Sequence, residues 1–170
     1  MPEILPGARQ HYIAKMKWAN YLFYALITIL IASFIAVYWN RRELQERFEA
    51  LTDGNTLMRA DDFLDLRGEL ISSRILDESE FTSAYILHNE TKDKCHVGQS
   101  VRVLSRINQH LTGRGNSDVY ADYKNGDEFT AQAISLISSG HESLNDLERD
   151  AIHAYDAFDS GYNRTRGNRR

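Results

Sequence analysis

The sequence predicts an α/β protein with one transmembrane helix, a helical stalk and a small β-β-α-β-α domain, a mixed three-stranded sheet flanked by helices. Three observations carry that prediction. Residues Tyr21–Trp39 form a run of 19 residues without a charge, residues 40–79 are rich in charge and helix formers, and beyond residue 80 strand-like and helix-like patterns alternate. The expected divisions are a tail at 1–17, a membrane helix at 18–39, a juxtamembrane stalk at 40–79 and the domain at 80–170.

The apolar run would span roughly 28 Å as a helix, close to the hydrocarbon thickness of a bilayer. Trp18, Tyr21 and Tyr24 stand at one end and Tyr38 and Trp39 at the other, where aromatic rings prefer the headgroup boundary. A core helix of this length would carry a polar face, and this one has none. A cleaved signal would begin earlier and be shorter, without Arg41-Arg42 closing the run as a stop. The lipid bilayer is therefore the first expected partner. Arg9, Lys15 and Lys17 on one side balance Arg41, Arg42 and Arg47 on the other, so the positive-inside rule selects no orientation.

A formal net charge of −4 in 170 residues excludes a globally basic, polyanion-coating protein. Contact with a polyanion has to come from local basic residues. The single cysteine, Cys95, excludes an intramolecular disulfide framework and fits a reducing compartment. Beside His96 it lacks companion ligands at zinc spacing.

In the stalk, Leu44, Phe48 and Leu51 make a narrow apolar stripe, broken by the turn signal Asp53-Gly54-Asn55. A second helical pattern runs from about Asp61 to Leu76, with Phe63, Leu64, Leu66, Leu70 and Ile71 apolar. Two readings stand: a solvated spacer, or a short dimerising helix that makes the chain a homodimer through 40–79.

Beyond residue 80, Phe81–Asn89 reads as a strand, a polar turn follows, and His96–Ser100 completes a hairpin. With the turn at the centre, Tyr85 faces Gly98, whose missing side chain leaves room for the ring. A helix is expected from about Val101 to Thr112, stopping at Gly113, then a loop to Gly126 and a third strand at Phe129–Ile137. Ser143 opens a last helix, with Asp146 completing a capping-box pattern, that runs to about Phe158.

Two helical wheels bear on chemistry. In the last helix Leu144, Leu147, Ala151, Ile152, Tyr155 and Phe158 share an apolar face with Glu148 near its middle. A carboxylate there has to be paired with a buried arginine, protonated, or bound to a cation. In the earlier helix Arg102, Arg106 and His110 form one i, i+4, i+8 row beside the apolar face of Val103, Leu104, Ile107 and Leu111. Two guanidiniums and an imidazole so placed suit a phosphate group. His88, His141 and His153 read as ordinary exposed or hairpin residues.

Taken together, these residues resemble the GIY-YIG nuclease superfamily over about 90 residues, from Phe81 to the C-terminus. Ser83-Ala84-Tyr85 corresponds to its first motif and His96-Val97-Gly98 to its second, followed by Gly98-Gln99-Ser100. Arg106 and His110 match an Arg-x-x-x-His motif, Leu144–Glu148 the late helix, and Gly161-Tyr162-Asn163 the segment after it. The resemblance implies a divalent-metal-dependent endonuclease acting on DNA, usually with Mg²⁺. It implies Glu148 as metal ligand, Arg106 as stabiliser of charge on phosphorus, and Tyr85 as the residue positioning or deprotonating water. His110 would assist by hydrogen bonding or proton transfer, and Asn163 would tie down the loop beside Glu148. Ser83-Ala84 stand where the family has Gly-Ile, and His96 where most members carry tyrosine. A neutral imidazole with pKa about 6.5 is the better general base at neutral pH.

Arg102, Arg114, Arg164 and Arg166 are expected on the nucleic-acid backbone, although the Arg-rich tail from Arg164 would equally suit anionic lipid or open solvent. The expected setting is the cytoplasmic face of a membrane, where the domain would meet incoming foreign DNA. The alternative class is an anchored binding or scaffold module that keeps the fold and has lost catalysis.

Overall fold

A computed structural model describes residues 6–52 and 57–167. The chain divides into two compact units, Met1–Glu43 and Leu44–Arg170.

The first unit is the greater part of helix α1 (Pro6–Thr52). Every side chain described from Lys15 to Glu43 is exposed, among them Leu22, Leu30 and Phe34. Within Lys15–Leu44 an 18-residue window has a mean hydropathy of 2.2, so among the described residues one helix near the N-terminus is long and apolar enough to span a membrane. Its internal hydroxyls are satisfied within the helix: Thr28 donates to the Tyr24 carbonyl and Ser33 to that of Ile29, both at 2.8 Å.

The second unit is mixed α and β. In chain order it comprises β1 (Met58–Arg59), α2 (Ala60–Ser72), α3 (Leu76–Ser79), β2 (Ser83–Asn89), β3 (Lys94–Ser100) and α4 (Val103–Leu111). There follow α5 (Ser117–Lys124), β4 (Phe129–Ile134), α6 (Leu136–Ser139) and α7 (Leu144–Ala154). The sheet has four strands in the order β1-β4-β2-β3, every pair antiparallel. This corrects the mixed three-stranded expectation, and the reason is topological. β3 and β4 do run parallel to each other, as a helical crossover demands, but β2 lies between them and no parallel pair forms.

Tyr85 and Leu87 point to one face of the sheet, where Phe63, Leu66 and Leu70 of α2 pack with Val103, Leu104, Ile107 and Leu111 of α4. Ile86 and Val97 point to the other, against Ala151 and Ile152 of α7. Residues 57–79, expected as a stalk, thus supply a strand and a core helix, and the unit begins at Leu44, itself buried, rather than at residue 80. The apolar residues Phe63, Leu66 and Leu70 are spent in this core. The Asp53-Gly54-Asn55 turn and the side chains of Phe48 and Leu51 lie outside the described residues.

Smaller differences have local causes. The loop expected at 114–126 holds α5, capped by the Asn116 side chain, which accepts from the Asp118 and Val119 amides. The third strand ends at Ile134 instead of Ile137, and α7 ends at Ala154, ahead of Asp156 at φ 48. Ser143 caps α7 as expected, accepting from the Asp146 amide at 3.2 Å.

Candidate active site

Strand β3 is the free edge of the sheet, and a cleft of about 340 Å³ straddles it. Because directly opposed residues share a face, Tyr85, Leu87, His96 and Gly98 project to the α4 side. Val97 and Gln99 project to the α7 side. Tyr85, His96, Arg106, His110, Glu148 and Asn163 all line this cleft.

What aims Arg106 and His110 is the anchoring of α4. The Glu80 carboxylate accepts from the Leu104 and Ser105 amides at 3.1 and 3.0 Å, satisfying otherwise unpaired N–H groups at the helix start. The apolar face of α4 then sits on the sheet, and the flank carrying Arg106 and His110 reaches the edge strand.

Three rings meet there. His96 and His110 have centroids 4.4 Å apart, with Tyr85 at 6.1 and 5.8 Å from them. The Tyr85 hydroxyl and His110 Nε2 are hydrogen-bonded at 2.8 Å, and the Asn116 amide donates to His110 Nδ1 at 2.8 Å. Burial pushes the Tyr85 phenol up to about 12 against the opposing pull of the Arg106 guanidinium. Burial, then the Arg106 charge, lowers His96 to about 4; burial, then His96 and Arg106, lowers His110 to about 3. Both imidazoles are therefore neutral at pH 7.

A pH dependence of stability follows. An imidazole whose folded pKa lies below its unfolded value binds more protons when unfolded. Stability is then complete above about 6.5 and falls as pH drops toward the folded value. For His96, lowered to about 4, the loss amounts to about 3 kcal/mol. Urea denaturation of residues 44–170 at pH 7 and pH 4.5 is expected to give a clearly lower midpoint at the acid value; equal midpoints would contradict the burial of a neutral ring.

Close backbone approach makes room for the ring cluster. Tyr85 pairs with Gly98, and a Cβ on Gly98 would lie 2.7 Å from Tyr85 Cζ and closer still to its hydroxyl. A Cβ on Gly115 would meet His110 Nδ1 at 2.6 Å. Gly98→Ala should therefore expel the Tyr85 ring from its place and cost about 1–3 kcal/mol by overpacking. A thermal melt reads the cost, and an unchanged Tm would show that the ring has space to spare.

On the opposite side of β3, Glu148 is half-buried and accepts a hydrogen bond from Gln99 Nε2 at 3.0 Å; the same nitrogen donates to Asn145 Oδ1 at 2.5 Å. The partner is an amide rather than a buried arginine, and among the described residues Glu148 forms no ion pair. Among these residues no three His, Cys, Asp or Glu side chains converge into a cage for a metal ion. A single carboxylate facing a polar cleft does fit a hard cation such as Mg²⁺, which keeps several waters and takes one or two carboxylates plus substrate phosphate. Asn163 grips the outer edge of β3: its Oδ1 accepts from the Val97 amide and its Nδ2 donates to the Val97 carbonyl, both at 2.8 Å. It thereby fixes the strand that carries His96.

The four expected backbone-binding arginines are not gathered. Arg164 lines the cleft, donating to Ser117 Oγ at 3.1 Å and pairing with Asp118 at 3.3 Å. Arg102 is turned to Asp77 and Glu80, away from the cleft lining. Arg166 stacks over Phe158 and pairs with Asp159 in a different pocket, and Arg114 is an exposed residue following α4 that does not line the cleft. Asn116, Ser117 and Thr165 line the cleft without having been singled out in the sequence, and Gln99, named there only within Gly98-Gln99-Ser100 and given no role, lines it too. Strand alternation from Gly98 would have placed Gln99 toward the late helix, and Asn116-Ser117-Asp118 is a helix-start signature. Comparison with known proteins returns no match: no family model, no curated protein and no solved structure aligns significantly with this chain.

Proposed function

We propose that the chain is a membrane-anchored, metal-dependent DNA endonuclease of the GIY-YIG kind. The observation that supports this reading is the meeting of Tyr85, His96, Arg106, His110, Glu148 and Asn163 in one cleft, from two strands, two helices and the C-terminal segment. The cleft is polar, open, and brings a guanidinium, a carboxylate and two neutral imidazoles around a phenol.

In the hydrolysis, a water oxygen forms a bond to phosphorus, the bond from phosphorus to the leaving sugar oxygen breaks, and that oxygen takes up a proton from solvent in the open cleft. A divalent cation held at Glu148 would supply Lewis-acid polarisation of the scissile phosphate. Arg106 opposes the negative charge that builds on the phosphoryl oxygens, where the desolvated site strengthens the attraction. Tyr85 orients the water through its hydroxyl, and neutral His96 offers a nitrogen lone pair for the proton released. Asn163 holds β3, and with it His96, in register with Tyr85.

In this reading the apolar stretch of α1 crosses the bilayer and the second unit works at the cytoplasmic face, confining cleavage to nucleic acid at the membrane, such as incoming foreign DNA. The direct test is incubation of the full chain, in detergent micelles, with supercoiled plasmid and Mg²⁺. Nicking that EDTA abolishes supports the reading. Plasmid retention without cleavage would instead assign a binding module that has lost the chemistry.

A further inference from the structure

The hydrogen bonds around His110 decide which way protons can move in the cleft. The Asn116 amide donates to Nδ1 at 2.8 Å, so that nitrogen presents its lone pair and carries no proton. A neutral imidazole with an unprotonated Nδ1 carries its proton on Nε2, the atom 2.8 Å from the Tyr85 hydroxyl oxygen. An imidazolium would set a second N–H against the Asn116 amide and lose this bond. The contact with Tyr85 therefore has one direction: Nε2–H donates and the phenol oxygen accepts. The Tyr85 hydrogen must leave along another direction, and Tyr85 is among the residues that line the cleft.

We propose that His110 is a positioning residue locked by Asn116 as the Nε2–H tautomer, which turns the Tyr85 hydroxyl into a hydrogen-bond donor toward the reacting oxygens and cannot itself take up a proton. The proposal rests on the nuclease reading for its meaning, while the lock itself is a property of the fold. Asn116 is well placed to act so. Its side-chain oxygen caps α5 and its Nδ2 donates to the Tyr162 carbonyl at 2.8 Å, so its backbone is held from three directions. Gly115 before it has no Cβ, which allows the loop to come this close to the ring. His110 is 1 % exposed, so water does not compete for either nitrogen.

Two readouts test it in the full chain in micelles. The first is a long-range ¹H–¹⁵N correlation spectrum of histidine-labelled protein at pH 7, with the His110 signals assigned by their loss in His110→Gln. Nε2 is expected at the protonated nitrogen shift and Nδ1 at the unprotonated one. A protonated Nδ1, or averaged shifts from a tautomer mixture, would overturn the lock. The second compares plasmid cleavage by His110→Gln and His110→Leu. A glutamine amide reaches the Nε2 position and donates but does not titrate, so it should keep activity within about tenfold of wild type, whereas leucine should lose about 100-fold or more. A glutamine variant as inactive as the leucine one would mean that His110 transfers a proton. The spectrum needs no cleavage, so a failed nuclease reading and a failed lock give different results.

Discussion

A fragment of residues 80–170 is expected to show no cooperative thermal transition, whereas residues 44–170 keep one. Cutting at residue 80 removes α2, whose Phe63, Leu66 and Leu70 are 0 %, 0 % and 1 % exposed in the main core. Burying such a side chain contributes about 1.5–3 kcal/mol each, and the hole left behind adds to the loss. Three of them together with β1 approach the whole stability of a small domain, about 5–15 kcal/mol. The cut would also bare the outer edge of β4, which now pairs with Met58 and Arg59. Circular dichroism melts of the two fragments separate the outcomes. A sharp transition in 80–170 would mean that α2 is a dispensable cover rather than part of the core.

The second large effect belongs to Glu148. Replacing it with glutamine keeps the shape and a hydrogen-bond partner for Gln99 but removes the one carboxylate that lines the cleft among the described residues. If a divalent cation is held there, several kcal/mol of transition-state stabilisation go with it, and about 4 kcal/mol corresponds to a roughly 1000-fold slower reaction. Stability should change little, since Glu148 is half-buried and forms no ion pair among the described residues. A variant that folds and does not cleave separates a chemical role from a structural one.

Much of this cleft is legible in the sequence because its residues sit at fixed offsets within regular elements. The hairpin turn sets the register that brings Tyr85 opposite Gly98, and the helical period puts Arg106 and His110 on one side of α4. What is not legible depends on contacts distant in sequence. Nothing local to Phe63 distinguishes a stalk helix from a core helix; only the sheet it covers decides. The position of β4 beside β2 rather than β3 is likewise a choice of the whole sheet. The role of Asn116 rests on its backbone amide, which every residue but proline possesses. Arg102 and Arg166 read as free cations until the carboxylates of Asp77 and Asp159 are seen beside them.

The measurement closest to the centre of this account is the rate of plasmid nicking by the full chain in Mg²⁺, wild type beside Glu148→Gln at equal folded concentration. Nicking by the wild-type protein, and about 1000-fold less by the variant, is the expected result. A wild-type protein that leaves the plasmid intact, or a variant that nicks it equally fast, would contradict it.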